Sequence, residues 1–165
     1  MAWNGSAFCV SLLGTAYTIT WPAYSITPTD VLPVQTFLLR YLLEAKTVAW
    51  AGEWKTFREM PWGEMYARPF AGRILTRAAA VFGSRLEDFR QACRRMGAAE
   101  VEGGDAGFRF DFLGNYKMQI LLWEGDEEFP PNAQILYSDN FAEGFTAEDR
   151  VVAADLLIAA IQANL

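Results

Sequence analysis

Alternating apolar and polar residues mark strands in two parts of the chain. In the first part, residues 7–13 and 16–21 are rich in aromatic, β-branched and leucine side chains. The turn Leu13-Gly14-Thr15 lies between them, so this part predicts a β-hairpin. The second part predicts three further strands by the same alternation. They cover residues 107–113, 117–123 and 133–138.

The first predicted helix covers residues 34–43 and is apolar almost all round. Thr29 or Asp30 can cap it, and Pro33 falls in the first turn, where a missing N–H does no harm. An apolar surface this wide predicts burial on more than one side. Arg40 is its only charge and has to reach solvent or a carboxylate, because an unpaired buried guanidinium is costly.

Three more helices follow from signals at their ends. The second runs from Pro69, a residue that suits the first helical position, to Gly83, which suits the position after the last turn. The third opens at Ser84 with a capping box, and Thr146 caps the last. The segment 47–68 between the first two helices is predicted to be irregular.

These elements predict an α+β fold. Strands grouped in hairpins, with helices between the groups, favour a mainly antiparallel β-sheet packed with about four α-helices. The length of 165 residues predicts a single domain spanning residues 1–165.

Charge and composition exclude several classes of protein and site. The net charge is −6, which disfavours a nucleic-acid partner and an anionic membrane surface. No apolar run approaches the ~20 residues of a membrane span, so we expect a cytoplasmic protein with no membrane partner. The chain has no histidine and two cysteines, Cys9 and Cys93, which removes the usual zinc sites and the histidine-based catalytic arrangements. We expect both cysteines to be buried.

Several motifs carry a family resemblance over nearly the whole chain. They are Leu38-Leu-Arg-Tyr-Leu-Leu, Gly52-Glu-Trp-Lys-Thr-Phe-Arg-Glu-Met-Pro, Tyr66 with Phe70, Phe82-Gly83, and Leu122-Trp-Glu-Gly-Asp-Glu-Glu-Phe-Pro. In order and spacing the chain resembles the uncharacterised domain-of-unknown-function family 3786 of bacteria and archaea. The resemblance implies no assigned activity. Some members join this domain to a cysteine-rich iron–sulfur module, which is absent from this sequence, so the resemblance implies no cluster here.

The acidic stretch Trp123-Glu-Gly-Asp-Glu-Glu-Phe-Pro-Pro is a candidate site. Its carboxylates, Glu124, Asp126, Glu127 and Glu128, are hard oxygen ligands of the kind Mg²⁺ or Ca²⁺ prefers. One of them could also act as a general acid or base if its neighbours raise its pKa. The spacing does not fit an EF-hand loop, and we assign no metal ligand.

A structural role for the same stretch is the competing interpretation. Gly125 permits a turn after a buried strand, some carboxylates pair with arginines, and others cap backbone N–H groups. Phe129 would then hold the loop on the core. Arg58 is the predicted partner of this turn, because a guanidinium can make two parallel hydrogen bonds to a carboxylate. Arg58 could instead hold a carboxylate or phosphate of a ligand, and Arg40 and Arg68 are lesser candidates for either role.

Aromatic residues supply a further candidate surface. A core is their commoner use, but an irregular, glycine-interrupted segment also favours a groove for a flat ligand. The set comprises Trp50, Trp54, Trp62, Tyr66, Phe70 and Trp123.

The leading functional prediction is a non-catalytic binding or accessory module with a small-molecule ligand. Its site is expected where the 52–70 segment meets the 123–131 turn. The predicted ligand-binding residues are Trp54, Arg58, Tyr66, Trp123, Glu124, Asp126, Glu127 and Glu128. The first alternative is a carboxylate-based enzyme, with or without Mg²⁺. The second is a protein-interaction module that forms a homodimer through an apolar helix face.

Overall fold

A computed structural model describes residues 2–44 and 48–165. Its strands are β1 (Ala2–Trp3), β2 (Ala7–Leu12), β3 (Thr15–Thr20), β4 (Ile26–Thr27), β5 (Trp54–Thr56), β6 (Ala99–Glu100), β7 (Ala106–Leu113), β8 (Tyr116–Trp123) and β9 (Asn132–Ser138). Its α-helices are α1 (Leu32–Glu44), α2 (Gly63–Phe70), α3 (Thr76–Phe82), α4 (Leu86–Arg95), α5 (Phe141–Gly144) and α6 (Ala147–Gln162). A 3₁₀ turn at Phe57–Glu59 precedes α2, and a π-helical segment at Ala71–Leu75 joins α2 to α3.

The strands of the described residues form one sheet in the order β4-β3-β2-β7-β8-β9-β5, with β1 beside β2 and β6 beside β7. Every pair is antiparallel, so the predicted α+β fold with a mainly antiparallel sheet is confirmed. The predicted hairpin is β2–β3, where Leu12 pairs with Thr15. Leu13 and Gly14 both have positive φ in its turn, as a tight hairpin requires.

The helices pack on the sheet and on one another around one continuous core. Helix α3 contacts β8 and β9, α4 contacts β7, and α6 contacts α1, α2 and α4. An aromatic cluster fixes the start of α6 against the sheet, and its members are Phe37, Phe112, Tyr116, Phe141 and Phe145. In the described part of the chain, no helix is long and apolar enough to cross a membrane.

The boundaries of two predicted helices are wrong. The second helix begins at Gly63 rather than Pro69, so Pro69 lies inside it, six residues after its start. Proline removes a hydrogen-bond donor from the helix interior, and the backbone widens into the π-helical segment directly afterwards. The third helix begins at Leu86, its N-cap is Arg85, and no side chain caps it, so the predicted Ser84 capping box is also wrong.

Burial corrects one further prediction, the one for Cys9. Cys93 is buried as expected, and burial raises the pKa of its thiol well above the ordinary value. Cys9 is exposed, because it shares a face of β2 with Ser11 while Val10 and Leu12 point into the core. Helix α1 is buried over a wide sector, because Phe37 and Leu38 are fully buried and Val34, Leu39, Tyr41 and Leu42 are partly buried against the core, while Leu32 and Leu43 are exposed on the remaining side.

Candidate functional site

A sharp turn at Met60–Gly63 starts the second helix and orients an exposed tryptophan. The N–H of Gly63 donates to the carbonyl of Met60 over 2.8 Å, with Pro61 and Trp62 between them. Trp62 has φ 63° and ψ −1°, the values of the third residue of a type II turn. That position favours glycine, and a bulky side chain there carries backbone strain. The fold therefore holds the Trp62 backbone in an unfavourable conformation while its indole points to solvent.

The exposed side of α2 forms one wall of a groove beside the start of α6. Trp62, Met65 and Tyr66 contribute large apolar side chains that are 70%, 72% and 51% exposed. The groove has a volume of about 640 Å³ and is lined by Arg40, Trp62, Met65, Tyr66, Pro69, Phe70, Arg73, Thr146, Ala147, Glu148 and Val151. Such a cavity, largely apolar with a few polar groups at its edge, has the general character of a small-molecule site.

One end of the groove is fixed by a capping box at the start of α6. The Thr146 hydroxyl accepts the N–H of Asp149 over 3.2 Å, and the Asp149 carboxylate accepts the N–H of Thr146 over 3.1 Å. The cap predicted for Thr146 is therefore confirmed. Asp149 also binds Arg40, whose Nη2 donates to Oδ2 over 3.2 Å. Nε of Arg40 lies 2.8 Å from Oδ1 in ion-pair contact, but its N–H is not aligned for a hydrogen bond.

The second arginine of the groove is also paired. Arg73 binds Asp155, and Arg77 donates to the same carboxylate over 2.9 Å. The pairing of Arg40 and Arg73 neutralises most of the positive charge along the groove. Its distinctive surface is therefore the exposed apolar group on α2.

The 123–131 turn is organised mainly by its own backbone. Oδ1 of Asp126 accepts the N–H groups of Glu128 and Phe129 over 2.8 and 2.7 Å. These two hydrogen bonds, the one from Phe129 first, lower the pKa of the Asp126 carboxyl. The cap predicted for this stretch is thus present, whereas Phe129 is exposed rather than packed on the core. In the described residues, no ion pair joins its carboxylates to an arginine or lysine.

The predicted pairing of Arg58 with the acidic turn is wrong. Arg58 binds Glu64, with Nη2 donating to Oε1 over 2.6 Å, and this contact lowers the pKa of Glu64. Glu64 follows six residues later, in the first turn of α2, and is reached locally. Both side chains are exposed, so this ion pair contributes little to stability.

The remaining predicted site residues are distributed over separate surfaces. Trp54 is half-buried in β5 and packs edge-on against Trp50, with ring centroids 5.2 Å apart. Trp123 and Glu124 border a cavity of about 510 Å³ beside the turn. Glu127 and Glu128 are exposed on the turn itself.

The structure does not join the 52–70 segment and the acidic turn around one cavity. Strand β5 pairs with the end of β9 near Ser138, whereas the acidic turn precedes the opposite end at Asn132. The groove and the cavity beside the turn share no lining residue. Of the predicted ligand-binding residues, Tyr66 lines the groove, and Trp123 and Glu124 line the other cavity. The sequence pattern includes Trp62 in the aromatic set and not among the predicted ligand-binding residues, although Pro61-Trp62-Gly63 is a local signal for a turn.

Within residues 2–44 and 48–165, no group of three or more Asp, Glu, Cys or His side chains lies in an arrangement that could hold a metal ion.

Comparison with known proteins identifies a family without an activity. No curated protein and no solved structure matches the chain significantly. One family profile matches residues 1–160, which is nearly the whole sequence. The chain belongs to this family, described as a domain of unknown function, DUF3786.

Proposed function

We propose that the chain is a non-catalytic binding module, and that the groove between α2 and the start of α6 takes a small molecule with a flat apolar body. One observation carries this proposal. Trp62 occupies a strained turn position that favours glycine, yet the residue is 70% exposed beside a cavity of about 640 Å³. Backbone strain at a residue whose side chain stays exposed is typical of a functional position.

The neighbours of Trp62 support the same use. Met65 and Tyr66 present their side chains on the same side of α2 and are also more than half exposed. A contiguous exposed apolar surface beside a concavity is typical of a ligand-binding groove. Aromatic rings stack on flat ligands, and methionine adapts its shape to them. The ligand class supported best is therefore an aromatic or polycyclic small molecule.

The acidic turn supports a ligand site less well. Asp126 is occupied by two backbone N–H groups, and this role accounts for its presence without a ligand. The proposed site accordingly keeps Tyr66 and the 52–70 segment and omits the 123–131 turn. The carboxylate-based enzyme and the self-associating module stay predictions from the sequence.

Titration with the neutral dye N-phenylnaphthylamine tests this proposal, because its fluorescence rises on entering an apolar site. We expect saturable binding of one dye per chain. Trp62→Ala and Tyr66→Ala should each weaken it by about tenfold, the effect of losing an aromatic anchor. The matched control is Trp21→Ala, which removes an exposed tryptophan on the hairpin side and should leave the affinity unchanged. Equal losses in all three variants, or no saturable binding, would contradict the proposal.

A further inference from the structure

Arg150 is a buried cation that lacks a carboxylate partner. It lies in the second turn of α6 and is 1% exposed. Nη2 donates to the carbonyl of Pro61, and the guanidinium carbon lies 5.7 Å from the ring centre of Phe57. Among residues 2–44 and 48–165, Nε and Nη1 find no acceptor. Burying an unpaired charge costs free energy of folding, so a negatively charged partner would stabilise this arrangement.

A second cavity lies next to Arg150 and adjoins the groove. Its volume is about 330 Å³. It is lined by Glu44, Pro61, Trp62, Ala142, Glu143, Gly144, Phe145, Thr146, Ala147 and Arg150. Arg150 is nearly inaccessible to solvent and lies at the wall of this cavity.

The first turn of α6 adds further positive potential to the same cavity. Thr146 is the N-cap and Ala147 the first helical residue of a sixteen-residue helix. The first N–H groups of a helix have no intrahelical acceptor and carry the positive end of the helix dipole. The capping box occupies the N–H of Asp149. The N–H of Ala147 has no such partner within the helix.

The acidic side chains around the cavity do not neutralise Arg150. Glu44 and Glu143 are exposed, and Glu44 lies 3.5 Å from Arg40 in an ion pair. The Asp149 carboxylate is engaged by Thr146 and Arg40. In the described part of the chain, no carboxylate forms an ion pair with Arg150.

We infer that Arg150 and the first turn of α6 form a binding site for a small oxyanion group, either a carboxylate or a phosphate. A planar guanidinium with free donors fits two oxygens of such a group, and helix N-terminal N–H groups complete its coordination. The site does not depend on the function proposed for the apolar groove. The two cavities share Trp62, Thr146 and Ala147. One ligand with an apolar body and an oxyanion end can therefore occupy both, a step that rests on the proposed function.

Isothermal titration of the full chain with inorganic phosphate and with acetate, at constant ionic strength, tests the site. Arg150→Met removes the charge at similar volume. Ala147→Pro removes one backbone N–H at a helical position where proline is favoured, and Thr146 already has the extended backbone that precedes proline. The control is Arg94→Met, which removes an exposed arginine paired with Glu100 at 3.2 Å.

The expected result is saturable binding of at least one anion to the wild-type chain, and the tighter anion identifies the group. Arg150→Met should weaken it about tenfold or more, and Ala147→Pro about threefold. Arg94→Met should change it by less than about twofold. No saturable binding of either anion to the wild type, or equal affinity in Arg150→Met, overturns the inference. If Arg150→Met does not fold, equal affinity of Ala147→Pro and wild type overturns it. Phosphate or acetate binding that persists in Tyr66→Ala, which alters the lining of the groove alone, separates this site from the groove.

Discussion

Trp62 offers a direct way to measure the strain that the fold accepts beside the groove. We compare Trp62→Gly with Trp62→Ala. Both substitutions remove the indole, but alanine keeps a Cβ at φ 63° and glycine does not. Glycine therefore releases the left-handed strain, and the difference between the two variants excludes the packing that tryptophan itself provides.

The expected difference follows from two opposing terms. An L-residue in the left-handed region costs about 1–2 kcal/mol. Glycine loses about 0.5–1 kcal/mol relative to alanine through its more flexible unfolded chain. The Trp62→Gly variant should therefore be more stable than Trp62→Ala by about 0.5–1 kcal/mol. Met65 is the matched control, because it is equally exposed but lies inside α2, where alanine should be the more stable by about 1 kcal/mol.

Urea unfolding of Trp62→Gly, Trp62→Ala, Met65→Gly and Met65→Ala, with linear extrapolation to water, measures these differences in the free energy of unfolding. The sign of the glycine–alanine difference should reverse between positions 62 and 65. A result in which alanine is the more stable residue at both positions would show that Trp62 is unstrained and would remove the principal support for a functional role.

Three other predictions concern parts of the chain outside the groove. Gly83→Ala should lower the free energy of unfolding by about 2 kcal/mol in urea, since an added Cβ would lie 2.4 Å from Cβ of Pro131; a loss below about 0.5 kcal/mol would refute this packing. A thiol reagent should label Cys9 in the native chain and Cys93 only after unfolding, because Cys9 is exposed and Cys93 is buried; rapid labelling of both would be inconsistent with the described burial. The pKa of Asp126 is lowered in the fold, so its stabilisation is present above the unfolded pKa and is lost as pH falls through the folded pKa. Asp126→Asn should therefore lower the melting temperature at about pH 7 but not at about pH 2, and an equal effect at both would contradict the sign.

The parts of the fold that depend on local chemistry were predictable from the sequence. The hairpin turn at Leu13-Gly14 and the capping box of Thr146 with Asp149 involve residues no more than three positions apart. Alternation also identified the strands around residues 107–138, because one face of each strand meets the core.

The failures have physical causes of two kinds. The predicted start of the second helix at Pro69 is wrong, because proline is a stronger sequence signal for a helix start than the turn before Gly63. The π-helical segment that follows accommodates Pro69 inside the helix. The predicted pairing of Arg58 with the distant acidic turn is wrong because Glu64, six residues away in the sequence, is a nearer partner. The ion pair of Arg40 with Asp149 spans 109 positions, and such a contact cannot be read from spacing.

The same limit applies to the candidate site. Burial of Arg150 depends on the approach of Pro61 and Phe57, which are about ninety residues away in the sequence. Conversely, Pro61-Trp62-Gly63 was a local signal for a turn that places an aromatic residue where glycine is preferred. This turn signal indicates the position of the groove more clearly than the number of aromatic residues in the 47–70 region does.

The indole N–H signals of the six tryptophans test the central claim most directly. In a proton–nitrogen correlation spectrum, titration with N-phenylnaphthylamine should shift the Trp62 signal, assigned by its absence in Trp62→Gly, along a saturating curve. The signals of Trp3, Trp21 and Trp123 should stay in place, because these residues lie outside the groove lining. A Trp62 signal that does not move while another tryptophan signal saturates would contradict the account, because the ligand would then bind elsewhere.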